Sequence, residues 1–179
     1  MKNKRKTPIE IDQKMFQSMG YELIDKIAHF INTIDQKTVT TTKSNSEILN
    51  LIGNSSLPEN GESPDIVLAK TTDILLENSL FNGHPKFMGY ITSSPTPIGA
   101  LADLLAATIN PNVGAQILSP AATEIEKQTI RWLAEFIGVS PDYGGILVSG
   151  GNMANFTGFL AARTEKAPKD IKEKGITSS

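Results

Sequence analysis

The chain has no cysteine, so disulfides, thiolate metal sites and a cysteine nucleophile are all excluded. Histidine is nearly as scarce, with His29 and His84 the only two. His29 falls inside an amphipathic helical stretch and is read as structural. His84 precedes Pro85 in a loop that could line a site, but one histidine without partners makes no metal centre. Neither sign of charge prevails. The 17 Lys and Arg against 19 Asp and Glu give a net charge of -2, which offers no footprint for nucleic acid or an anionic membrane. No apolar run approaches the ~20 residues that cross a bilayer. The basic start, Met1-Lys2-Asn3-Lys4-Arg5-Lys6, is not followed by the apolar stretch of a signal peptide. The expectation is a soluble, cytoplasmic protein. Familiar catalytic signatures are missing too: there is no H-E-x-x-H or G-x-S-x-G, and neither glycine pattern of the Walker and dinucleotide sites occurs.

What is present is mostly helical periodicity. Ile9 to Ile34 places Phe16, Met19, Leu23, Ile27, Phe30 and Ile34 at spacings of three or four, which predicts an amphipathic helix whose stripe packs on something else. Asn45 to Ile52 predicts a short helix stopped by Gly53, and Asn54 to Pro64 reads as a linker. Ser63-Pro64-Asp65 opens a third helix over Ile66 to Leu76. Asn82 to Pro97 reads as irregular, and Ile98 to Ile109 as a fourth helix. Ser119 and Pro120 mark the start of a fifth, which ends at Gly138 and is expected to bury Ile125, Trp132, Leu133, Phe136 and Ile137. Asp103, Glu124 and Glu126 sit within helices, and Thr123-x-x-Glu126 fits a capping box.

Gly145 to Ser149 is the one convincing buried strand. It runs through Ser149-Gly150-Gly151-Asn152 into a helical stretch, Met153 to Arg163. Paired glycines at a strand-to-helix turn leave backbone N–H groups free, and the helix N-terminus favours an anion, which is how many proteins hold a phosphate. An ordinary turn of an α/β domain fits the same residues. A single strand completes no sheet. The expectation is therefore the first part of a larger α/β protein, with its sheet edges and apolar faces uncovered in these residues.

Several segments together carry a family resemblance. His84-Pro85-Lys86-Phe87-Met88-Gly89-Tyr90 is followed by Leu101-Ala102-Asp103-Leu104-Leu105, then by Ser119-Pro120-Ala121-Ala122-Thr123-Glu124-Ile125-Glu126. Ser149-Gly150-Gly151-Asn152 and Ala161-Ala162-Arg163-Thr164 complete the order. The set, from about Phe16 to Thr177, closely resembles the group II pyridoxal-phosphate-dependent amino acid decarboxylases. This group includes the aromatic-amino-acid, histidine, glutamate and diaminobutyrate enzymes.

The resemblance implies an α/β subunit of the fold-type I class, working as a homodimer with pyridoxal phosphate. Residues 1–95 would form an N-terminal helical arm for dimer contact, and residues 96–179 the incomplete start of the large cofactor domain. It implies that Gly150, Gly151 and Asn152 hold the cofactor phosphate, with Ser149 completing the turn. Tyr90 and Ser93 would lie on the substrate side, in the neighbouring subunit's site. Ile91 departs from the aromatic often found in that loop, so the loop does not assign the amino acid. The family's reaction also needs a lysine that forms a Schiff base with the cofactor, usually preceded by histidine, and no His-Lys dipeptide occurs here. A side chain stacked on the ring and an aspartate at its nitrogen are likewise expected beyond these residues. Lys166, Lys169, Lys172 and Lys174 fall in a charged segment and are not assigned to the site. The functional expectation is the N-terminal part of a carboxy-lyase. Its alternative is an inactive remnant, or a split-protein half that acts only with another chain.

Overall fold

A computed structural model describes residues 9–167, together with Ile171 and Gly175. The basic N-terminal segment and Lys169, Lys172 and Lys174 lie outside the described residues. The chain divides into two compact units, Met1–Leu105 and Ala106–Ser179.

The first unit is built on helix α1, Gln13–Thr33. It starts where Asp12 accepts a hydrogen bond from the Met15 N–H at 2.9 Å, satisfying one of the amides that the first turn leaves over. A 3-10 turn, Ile34–Gln36, closes it. Helix α2, Asn45–Ile52, is opened by a reciprocal capping box. The Glu47 N–H donates to Ser44 Oγ, while the Ser44 N–H donates to Glu47 Oε2 at 2.8 Å. It stops at Gly53, whose φ of 94° a side chain would resist. Helix α3, Pro64–Asn78, begins with proline at its first position. Lys26 reaches across from α1 to Asp73 of α3 at 2.8 Å, and Lys37 to Glu77 at 2.6 Å. The carboxylates are exposed, so these pairs fix register more than they stabilise.

The buried centre of this unit is small. Among the described residues only Phe81, Thr72 and His84 are buried. Phe81 stacks at a tilt on Phe30 of α1, with centroids 5.0 Å apart, and its N–H donates to the Val39 carbonyl at 2.9 Å. Helix α4, Pro97–Ile109, follows an irregular stretch. An open apolar groove of about 490 Å³ lies among Phe16, Leu23, Ile27, Leu68, Leu101 and Leu104.

The second unit holds α5, Pro120–Phe136, and α6, Gly150–Lys166. Two expectations fail here. The stripe of α5 is not buried, since Ile125, Trp132, Leu133, Phe136 and Ile137 are all exposed; an amphipathic pattern specifies a face to be covered but does not itself supply the cover. Residues 145–149 also form no strand, and the described residues contain no ladder. A strand exists by pairing, and the described residues offer no second strand for these to pair with.

Candidate phosphate-binding turn

The turn is reached from α5. Glu126 and Ile130 lie one turn apart on that helix, on the face that meets residues 145–147. Gly145 passes so close that a Cβ there would fall 2.8 Å from Ile130 Cγ2. Two residues later the Leu147 N–H donates to Glu126 Oε1 at 3.1 Å. An apolar groove of about 270 Å³ runs beneath, lined by Leu133, Ala134, Ile137, Val139 and Ile146 among others.

The backbone then enters α6. Ser149 is its N-cap, in extended conformation, and makes no side-chain capping bond. Gly150 has a φ of 80°, the left-handed region that an L side chain adopts only under strain. Apart from chain neighbours and the backbone of their own helix, nothing lies within 4 Å of where a Cβ would stand on Gly150 or Gly151. No acidic side chain occupies the first turn, and Arg163 and Lys166 sit in the last. The N-terminal end therefore presents amides without intrahelical acceptors, positive dipole and open approach. Asn152 is exposed within this turn and adds a side-chain amide as a donor. Gly150, Gly151 and Asn152 are thus contiguous and uncovered, which fits a dianionic phosphate group and does not fit a cation.

Tyr90 and Ser93 belong to the first unit and are described there alone. Tyr90 is 86% exposed and has a φ of 60°, a strained conformation for an aromatic residue. Its ring lies 6.3 Å from that of Phe87. Ser93 is exposed in the irregular stretch that follows. The base of this loop is fixed by His84, which is 3% exposed. His84 Nε2 bonds the Lys37 carbonyl at 3.0 Å, and the Lys86 N–H donates to His84 Nδ1 at 3.0 Å. Donor at one nitrogen and acceptor at the other is an arrangement only the neutral ring offers.

The capping box expected at Thr123 and Glu126 does not form. Thr123 lies inside α5 and gives both its N–H, at 3.0 Å, and its hydroxyl, at 2.8 Å, to the Ser119 carbonyl, which leaves Glu126 to reach Leu147. Glu124 is held in a local ion pair. Lys127 donates to it at 2.7 Å and holds its carboxyl below the usual carboxylate range, and Gln116 donates to the same oxygen at 3.0 Å. Among the described residues no cluster of His, Asp or Glu could hold a metal ion, and no helix is long and apolar enough to cross a membrane. Sequence reasoning missed Glu126, Ile130 and His84 as supports. The one available signal was the Glu126–Ile130 spacing on a helix that precedes a glycine-led apolar run.

A family model described as the pyridoxal-dependent decarboxylase conserved domain matches residues 46–179. An aromatic-L-amino-acid decarboxylase of Bacillus atrophaeus is 32% identical over 169 residues, which is 92% of this chain and 34% of the relative. An L-aspartate decarboxylase of Metarhizium robertsii is 35% identical over 125 residues, covering 69% and 25% respectively. The chain spans about a third or less of the length of these curated relatives. In structure it is similar to the Oryza sativa TDC solved with PLP and tryptamine. The TM-score is 0.78 at 18% identity, over 96% of this chain and 35% of that one. That likeness shows a shared fold.

Proposed function

Because the chain belongs to the pyridoxal-dependent decarboxylase family, whose cofactor is pyridoxal phosphate, we propose that residues 149–152 hold that cofactor's phosphate in an enzyme removing the α-carboxylate of an amino acid. The observation that carries the reading is the start of α6: it is entered through a left-handed Gly150, leaves the backbone at Gly151 uncovered, and has no carboxylate in its first turn. When bound, the cofactor supplies the electron sink for loss of carbon dioxide. These residues supply binding and orientation. The amides of the turn and the Asn152 side chain grip the phosphate, while Tyr90 and Ser93, on the loop that His84 anchors, serve the substrate side of the neighbouring subunit's site. The apolar faces of residues 1–95 serve as a homodimer arm, with 96–179 opening the cofactor domain. A cysteine-free sequence is in keeping with a cytoplasmic setting.

Covalent attachment of the cofactor is not assigned to this span. Lys166 stands in the last turn of α6, roughly 24 Å along the helix from the turn, beyond the reach of any lysine side chain. With no His-Lys dipeptide in the sequence, these residues are proposed to bind the cofactor without turning substrate over by themselves. The test titrates the chain with pyridoxal phosphate and with pyridoxal, which lacks the phosphate. The phosphorylated form should bind about ten-fold more tightly or better, and Gly151→Val should erase the preference by blocking the backbone. No carbon dioxide should be released from amino acids. Equal affinity for both compounds, or a preference that survives in folded Gly151→Val, would remove the turn from the site.

A further inference from the structure

Residues 145–149 approach α6 without a ladder, so something else must fix their direction. Two contacts do so, and both come from one face of α5. The missing side chain of Gly145 lets the backbone sit against Ile130 Cγ2. Glu126 accepts from the Leu147 N–H, three residues before the left-handed Gly150. A segment without a ladder needs other acceptors for its amides, and a carboxylate is a stronger one than a carbonyl. Glu126 is available for this because Thr123, its expected capping partner, is turned back onto Ser119.

We propose that Glu126 is a positioning residue for the phosphate turn, acting through the Leu147 N–H to set the angle at which the chain enters Ser149 and Gly150. The inference rests on the phosphate reading only for the name of the turn; the coupling between Glu126 and residues 150–152 stands on geometry. Its test uses the full chain, comparing wild type, Glu126→Gln and Glu126→Ala by amide hydrogen exchange and amide chemical shifts. Exchange at Leu147 should be several-fold to about ten-fold faster in the alanine variant, with Glu126→Gln intermediate because a neutral carbonyl oxygen keeps the reach but not the charge. The amides of Gly150, Gly151 and Asn152 should shift in the same order while those of α5 stay in place. Should the alanine variant lose α5 itself, the pair of wild type and Glu126→Gln carries the comparison. Unchanged exchange at Leu147, or a change at Leu147 that stops short of Gly150, overturns the proposal. Inorganic phosphate added to the wild type tests the underlying reading separately. If the amides of Gly151 and Asn152 do not respond, the phosphate assignment fails while the coupling to Glu126 is still decided by the variants.

Discussion

His84 shows how much one side chain can hold when both of its nitrogens are used. It ties Lys37, just after the 3-10 turn that closes α1, to the loop that carries Tyr90. Replacing it by alanine strands a carbonyl and an amide in the most buried place among the described residues, at a cost of about 1–3 kcal/mol. Chemical denaturation should find His84→Ala destabilised by that order. His84→Asn, which can still accept from the Lys86 N–H, should fall between. Equal stability of all three proteins would show that the clamp contributes nothing. None of this was legible in the sequence, because His84 and Lys37 are 47 residues apart and no local pattern links them. The glycine turn that opens α6 was legible for the opposite reason. Its backbone requirement, a residue at positive φ next to a helix start, is written in two adjacent glycines.

Helices are the scale at which the sequence spoke most clearly. The stop of α2 at Gly53, the proline starts of α3 and α5, and the period of α1 are all local, and each appears where the residues place it. The strand at 145–149 was misread because pairing is not local. The same distance from local rules explains Thr123 and Glu126, whose spacing fits a capping box but whose position lies inside the helix. The capping box that does form, at Ser44 and Glu47, makes a pH prediction. The Ser44 N–H and then its hydroxyl bond the Glu47 carboxylate and hold its pKa below the usual value. A carboxyl group lowered in the folded state contributes stability above its unfolded pKa, and that contribution is lost as pH falls through the folded value. Amide protection in the first turn of α2 should therefore be level through neutral pH and decline below about pH 4. Protection that is flat down to acid, or that falls near neutral pH, would contradict the box.

At the scale of the molecule the main fact is uncovered apolar surface. Leu101, Leu105 and Ile109 of α4 are exposed, as are Ile125, Phe136 and Ile137 along α5. Contiguous apolar faces of this kind mark association surfaces in soluble proteins. The chain in solution should self-associate as its concentration rises, with light scattering giving a mass above that of one chain. A monodisperse monomer across the accessible range would count against that. The position of the single tryptophan makes the same event visible in another way. Trp132 stands on the exposed stripe of α5, 62% open to solvent, so its emission in the isolated chain should already resemble that of an unfolded protein. Unfolding will be nearly silent at this fluorophore. Covering α5 will not be, and a blue shift on raising concentration or adding a partner chain identifies that helix as the surface that has gone into the dark.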